Sequence, residues 1–187
     1  MMTTFLTLLA GMALMLALVA AVQRFMRFPA QTPQDYAAME PAFDIRKHLS
    51  GPMTCEGVIY GPMGRVSSRF TADMHGTWDG DSGTLAEHFR YDSGTEQDRE
   101  WRLTLLSGGR IRAEADDLVG RGEGTQKGAA VQLCYTIRLP ESAGGHALDV
   151  TDWLYLIDET TIVNRSQFRK YGIKVAELVA TMRKVDA

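Results

Sequence analysis

Five polar side chains stand on faces that are otherwise apolar, in segments where apolar and polar residues alternate. Glu87, for example, lies between Leu85 and Phe89 in that alternation. A carboxylate, amide or phenol buried among apolar side chains is costly unless it is hydrogen-bonded. A few such groups in an apolar wall are also the usual form of a small-ligand site. The candidates for orienting the polar end of a small apolar or lipid-like ligand are Glu87, Tyr91, Asp117, Tyr135 and Asn164.

The same side chains are open to a purely structural interpretation. In that interpretation they lie at strand ends, or they pair with Arg69, Arg138 or Arg165 and lock the fold. The sequence leaves the choice between the two interpretations open.

Acid–base, metal and nucleophilic chemistry find little support in the residue spacing. Asp116 and Asp117 are adjacent, and neighbours in a strand face opposite sides, so the two are poorly placed to share a proton or an ion. Cys55 and Cys134 match no metal-ligand spacing, and their pairing in a disulfide stays open. The sequence has no HExxH, Cys-x-x-Cys or Gly-x-Ser-x-Gly motif. We therefore predict no catalytic residue, no metal and no cofactor.

The elements that must position these residues follow from an uneven composition. The chain has 187 residues, with 20 Lys and Arg against 23 Asp and Glu, and residues 1–23 carry no charged side chain. Leaving out Arg24 and Arg27 gives the remainder 18 bases against 23 acids, a net charge near −5. Nucleic acids and anionic lipids reward clustered positive charge, so neither is expected as the main partner.

The uncharged segment predicts a transmembrane helix. About 20 helical residues cross the hydrocarbon core of a bilayer, and a cleaved signal peptide is the alternative. We divide the chain into a transmembrane anchor (1–23), a linker with a short helix (24–42) and a folded domain (43–187). Arg24 and Arg27 follow the apolar segment directly, so the positive-inside rule favours a single-pass membrane protein with its domain in the cytoplasm. A periplasmic domain is the alternative.

The rest of the chain predicts an all-β domain. Short helical turns are expected near residues 32–39 and 43–49, and segments of about 8–13 residues with alternating polarity follow, separated by Gly, Asp and Ser clusters. Parallel strands need long crossover connections, so hairpin-sized links indicate an antiparallel sheet. One apolar face per strand and links between sequence neighbours favour an up-and-down barrel of about 8–10 strands, over a sandwich.

A series of short motifs resembles a known family. The bacterial domain-of-unknown-function family 3833 is similar to this chain over about residues 43–184. The resemblance implies a lipocalin-like barrel, and it implies no activity and no catalytic residues. Many relatives resemble exported lipoproteins, whereas this chain lacks the lipid-acceptor Cys and has an apolar segment instead. The motifs are Gly76-Thr77-Trp78-Asp79-Gly80, Phe89-Arg90-Tyr91-Asp92-Ser93-Gly94, Tyr135-Thr136-Ile137-Arg138-Leu139-Pro140, Asp152-Trp153-Leu154-Tyr155-Leu156 and Tyr171-Gly172-Ile173-Lys174-Val175.

Three functions remain in contention. The first is a membrane-anchored lipocalin-like binding protein that holds a small apolar or lipid-like ligand near the inner membrane. The second is a lipid-acting enzyme with Glu87 or Asp117 as general base, which needs a partner group that the sequence does not reveal. The third is a structural or assembly protein whose barrel is filled by its own side chains. The expected partners are the membrane, through the N-terminal helix, and such a ligand.

Overall fold

The computed structural model describes residues 2–25 and 28–185, without the side chains of residues 23–25 and 142. The first element is helix α1, Met2–Phe25. Its apolar side chains point in every direction, because Ala, Leu and Met fill all of its faces. The segment Met2–Val22 is long and apolar enough to cross a membrane, and none of it is buried in the protein. The helix could serve as an anchor or as a signal sequence. Of the two arginines on which the predicted orientation depends, the side chain of Arg24 and all of Arg27 lie outside the described residues.

A linker of short helical turns joins α1 to the rest of the chain. Two 3₁₀ turns, Phe28–Ala30 and Pro33–Tyr36, precede the one-turn helix α2, Ile45–His48. Asp44 caps α2, since its side chain accepts a hydrogen bond from the backbone N–H of Arg46 at 3.0 Å. The turn Pro33–Tyr36 and helix α2 lie within the two segments for which the sequence predicts helical turns, whereas the turn Phe28–Ala30 was not predicted.

Ten antiparallel strands within residues 28–185 form a closed barrel in which every strand pairs with its sequence neighbours. Pairing of the first strand with the last closes the barrel, so the predicted up-and-down architecture is confirmed. The strands are β1 Gly51–Tyr60, β2 Val66–Asp79, β3 Ser82–Tyr91, β4 Glu96–Leu105, β5 Arg110–Glu114, β6 Gly122–Lys127, β7 Ala130–Arg138, β8 Ala147–Leu156, β9 Thr161–Lys170 and β10 Ile173–Lys184.

The alternating sequence pattern becomes an inner and an outer face. In β2 the side chains of Phe70, Ala72 and Met74 are buried, whereas those of Thr71 and Asp73 are exposed. Residues that face each other across an antiparallel pair share a side of the sheet. The register therefore extends each inner face from strand to strand, and the main hydrophobic core lies inside the barrel.

Helix α2 closes one end of the barrel. The Trp78 indole donates to the carbonyl oxygen of Leu49 at 3.0 Å, and Gln126 accepts from the backbone N–H of Ile45 at 3.1 Å. Gly76 is required at this contact, because a Cβ there would stand 1.8 Å from the carbonyl oxygen of Leu49. We call this the closed end. The turn between β3 and β4 and the loop between β7 and β8 lie at the opposite, open end.

A second hydrophobic cluster lies outside the barrel, where the linker covers the wall. Trp153 points outward from β8 but is 0% exposed, because Phe28 and Tyr36 pack over it. Its ring stacks on Tyr155 at 5.9 Å, and the Tyr155 hydroxyl donates to Gln31 at 2.8 Å. The linker is thus bound to the barrel wall.

Candidate ligand-binding lumen

The barrel encloses a cavity of about 650 Å³. This volume lies within the range of about 300–1,000 Å³ that is usual for small-molecule sites. Apolar side chains line it near the closed end and again near the open end, and a band of polar groups crosses it between them. The apolar lining includes Leu85, Trp101, Leu103, Ile111, Val131, Leu133 and Leu154 on the closed-end side and Phe70, Phe89, Ile137, Leu139, Phe168 and Leu178 towards the open end.

The centre of the polar band is the guanidinium group of Arg99. It donates from Nε and Nη2 to the two carboxylate oxygens of Asp117, at 2.8 and 3.2 Å. One face of the guanidinium lies 3.9 Å from the ring centroid of Trp101, which supports it by a cation–π contact. Asp117 lies in a turn that follows β5. Strand β4 pairs with β5 only from Arg102 to Leu105, so the half of β4 nearer the open end, which contains Arg99, faces this turn.

Glu87 lies opposite Arg99 on the neighbouring strand, and the two side chains enter the lumen side by side. Glu87 is 7% exposed, and its Oε2 is 3.7 Å from Nη1 of Arg99, an ion pair too long for a hydrogen bond. Within the described residues, Oε2 has no hydrogen-bond donor. Burial raises the pKa of Glu87 to about 7; Arg99 lowers it, while Asp152 and Asp117 raise it further.

A second carboxylate enters the lumen from β8. Oδ1 of Asp152 accepts hydrogen bonds from Asn164 at 2.5 Å and from Ser166 at 2.6 Å. Burial raises the pKa of Asp152, and those two hydrogen bonds act against the rise. Asn164 also donates to the backbone carbonyl of Trp153 at 3.0 Å, so its amide is held in place.

Two tyrosines add to the polar lining, and Thr95, Glu96, Gln97 and Arg138 line the cavity towards the open end. Tyr135 packs edge-on against Trp101 with the ring centroids 5.1 Å apart, and burial raises its pKa well above the ordinary value. Tyr91 lies nearer the open end, where its hydroxyl donates to Gln97 at 3.1 Å.

All five residues that the sequence singled out line the lumen: Glu87, Tyr91, Asp117, Tyr135 and Asn164. The structural interpretation named Arg69, Arg138 and Arg165 as partners of these groups. Arg69 pairs with Asp92 and Arg165 with Glu177, and the arginine that pairs with Asp117 is Arg99.

Sequence reasoning missed Arg99, Asp152 and Ser166. Arg99 could have been recognised from the alternation, because it lies two residues before Trp101 and therefore on the same, inner face of β4. Asp152 likewise alternates with Val150 and Leu154.

The remaining candidates for chemistry do not converge. Cys55 faces the lumen and Cys134 faces outward, so both thiols are free. Asp116 points away from Asp117 and pairs with Arg102 at 2.8 Å on the surface. No group of three His, Cys, Asp or Glu side chains that could hold a metal ion occurs in the part of the chain that the structure describes.

Comparison with known structures supports the lipocalin-like barrel. The S-type phycobiliprotein lyase CPES from Guillardia theta matches with a TM-score of 0.59 at 10% identity, over 84% of this chain and 99% of that chain. A DUF3598-family protein of unknown function from Nostoc punctiforme gives 0.56 at 13% identity, over 79% of this chain and 51% of that chain. Rv2717c from M. tuberculosis gives 0.56 at 15% identity, over 79% and 99%. At such identities the likeness concerns the fold alone.

Comparison with protein families identifies the family of this chain. Residues 22–184 match the family described as "Protein of unknown function (DUF3833)". The chain therefore belongs to that family, as its motifs indicate. A search of curated proteins found no match.

Proposed function

We propose that this member of the DUF3833 family is a binding protein that holds one small apolar or lipid-like molecule in its lumen. The observation that carries the proposal is the cavity of about 650 Å³, with an apolar lining on both sides of a polar band. Such a cavity suits an amphipathic molecule, because the polar group orients the molecule and the apolar walls supply most of the affinity.

The cavity also argues against a purely structural barrel. A barrel that served only as a scaffold would gain stability by filling its interior, since interiors are otherwise close-packed. Here small inward side chains such as Cys55, Ala180 and Ser166 line the space.

The proposed setting is the surface of the bacterial inner membrane, with residues 1–23 as a single-pass anchor. The helix Met2–Val22 supports this, and a tether raises the effective concentration of the barrel near membrane-partitioned molecules. The positive-inside rule favours a cytoplasmic barrel, with a periplasmic barrel as the alternative.

The rim of the open end supports entry from a membrane. Because β1 pairs with β10, the turn between β1 and β2 lies beside the turn between β9 and β10. These turns expose Met63 by 82% and Tyr171 by 91%, and Ile173, the first residue of β10, is 70% exposed. Exposed apolar side chains grouped beside an opening are typical of an interaction surface.

A lipid-acting enzyme is the second candidate, and Glu87 is the observation in its favour. A buried carboxylate with a pKa of about 7 has the properties of a general base. Asp117, the other candidate base, is instead bound by Arg99 through two hydrogen bonds.

The binding proposal can be tested by tryptophan fluorescence of the full chain in a nonionic detergent. The probe is octanol brominated at its chain end, which quenches a tryptophan only at short range. Trp101 lines the lumen and is the reporter. We expect saturable quenching by the probe.

Two matched variants locate the site. Cys55→Phe places a ring inside the lumen, and Cys134→Phe places the same ring on the outer face. We expect Cys55→Phe to weaken the apparent affinity by about tenfold and Cys134→Phe to leave it unchanged. Equal quenching in both variants, with both chains folded by circular dichroism, would contradict the proposal.

A further inference from the structure

The lumen presents a hydrogen-bond acceptor that the described residues do not satisfy. Glu87 is 7% exposed, and its Oε2 receives no hydrogen bond from them. A buried acceptor without a donor is costly. Such a group in a folded protein calls for an explanation. One explanation is a ligand that binds in the lumen and donates a hydrogen bond to it.

Arg99 does not meet this need, because its charge is already engaged. Two of its nitrogens bind Asp117, and Trp101 covers one face of the guanidinium. Its remaining nitrogen, Nη1, stays 3.7 Å from Oε2 of Glu87. The arginine is held in place by these contacts and cannot approach Glu87 without breaking them.

The charges of the polar band are unequal. Three carboxyl groups, Glu87, Asp117 and Asp152, face the lumen together with the guanidinium of Arg99, and nearer the open end Glu96 and Arg138 add one charge of each sign. In a cavity of low dielectric constant, a second cation is attracted to such a set and an anion is repelled. A site built for a carboxylate or phosphate keeps arginine nitrogens free to bind the ligand, whereas Nε and Nη2 of Arg99 are bound to Asp117.

We propose that the lumen selects amphiphiles with a cationic, hydrogen-bond-donating head, a primary ammonium group on an apolar body, and that Glu87 binds that head. The inference rests on the proposed binding function and specifies its ligand class. The ammonium donates to Oε2 of Glu87, and Asp152 on the facing wall adds attraction. The apolar walls on either side of the band hold the body of the molecule.

The charge state of Glu87 makes the binding depend on pH. The charged groups that act on its pKa are Arg99, Asp152 on the far wall, and Asp117. The lumen-facing Cys55, Tyr91 and Tyr135 are neutral neighbours whose own pKa values are raised, in part by Glu87. With a pKa of about 7, Glu87 becomes more fully ionised between pH 6 and pH 8. The affinity for an ammonium head therefore rises over that interval.

The experiment compares three probes with the same chain and different heads: octylamine, octanol and octanoate. Binding to the full chain in a nonionic detergent is measured by calorimetry at pH 6 and pH 8. At pH 8 we expect octylamine to bind about tenfold more tightly than octanol, and octanoate more weakly than either. Cys55→Phe, which fills the lumen, corrects for partition into the micelle.

Glu87→Gln removes the charge and Glu100→Gln is the matched control on the outer face of the barrel. We expect Glu87→Gln to abolish the preference for octylamine and its pH dependence, with octanol binding retained, and Glu100→Gln to change neither. Octanoate binding as tightly as octylamine, or a preference that survives Glu87→Gln, would overturn the inference while the binding function stands. Failure of all three probes to bind would overturn the binding function itself.

Discussion

Glu87 is a carboxyl group whose surroundings favour its neutral form. It lies in the lumen beside Leu85 and Phe89, and the ordinary value of its pKa, 4.5, is raised to about 7. Burial is the largest cause, and the attraction of Arg99 offsets only part of it. The folded state therefore holds this proton at pH values where the unfolded chain has released it.

The stability of the protein should fall with rising pH because of this group. Below about pH 4.5 Glu87 is protonated in both the folded and the unfolded state, and the protein has its full stability. Between pH 4.5 and 7 only the folded state keeps the proton, so stability falls as the pH rises. Well above pH 7 Glu87 is ionised in both states and stability falls no further. We expect the free energy of unfolding of Glu87→Gln, relative to the wild type, to rise between pH 4.5 and 8 by about 3 kcal/mol. Urea denaturation of the full chain in nonionic detergent measures it. A difference that is independent of pH would contradict the prediction.

Arg99 compensates the buried carboxylates, and its removal should be costly. In Arg99→Met, Asp117 loses both hydrogen bonds and Glu87 loses its ion pair, so we expect a loss of about 3 kcal/mol near pH 7. Arg102→Met is the control, because Arg102 faces outward and pairs with the exposed Asp116. Equal urea midpoints for the two variants would show that the lumen pair contributes nothing.

At the scale of elements, the linker is a fixed part of the barrel wall. Trp153 stands on the outer face of β8, and a sequence pattern of that parity indicates an exposed side chain. It is buried because the 3₁₀ turns that follow α1 pack over it. Strand alternation cannot predict this contact, since it depends on where a segment more than 100 residues earlier in the chain comes to lie.

Removal of this cover should loosen the linker and expose the indole. We expect Phe28→Ala to destabilise the protein by about 3 kcal/mol and to increase the quenching of Trp153 by acrylamide, since Phe28 is buried against it. Tyr171→Ala is the control, because Tyr171 is 91% exposed and surface substitutions change stability little. Unchanged quenching in Phe28→Ala would contradict the packing.

Local alternation also explains what could and could not be predicted about the site. Glu87 and Asn164 were recognisable because each interrupts an apolar series within its own strand. The pairing of Asp117 with Arg99 was not, since it arises from the shortness of β5 and the turn that follows it. Asp152 follows the inner parity of β8. The adjacent Trp153 is a large apolar residue on the outer parity, so the alternation of apolar and polar residues is hard to recognise there.

At the scale of the whole molecule, the barrel has one closed and one open end, and the open end carries exposed apolar side chains. If ligand enters there from a bilayer, the rim should control the rate of transfer. We expect the triple variant Met63→Ser, Tyr171→Ser and Ile173→Ser to slow the transfer of brominated octanol from phosphatidylcholine vesicles to the full chain. Its equilibrium affinity should stay unchanged, because the lumen is intact. A transfer rate equal to that of the wild type would exclude a role for the rim.

The central claim is that the lumen holds a small amphipathic molecule, and native mass spectrometry of the full chain released from membranes tests it most directly. We predict one non-covalently bound small molecule per chain in the wild type and in Cys134→Phe, and its loss in Cys55→Phe. A wild-type chain without such a molecule, or one that keeps it when Cys55→Phe fills the lumen, would contradict the claim.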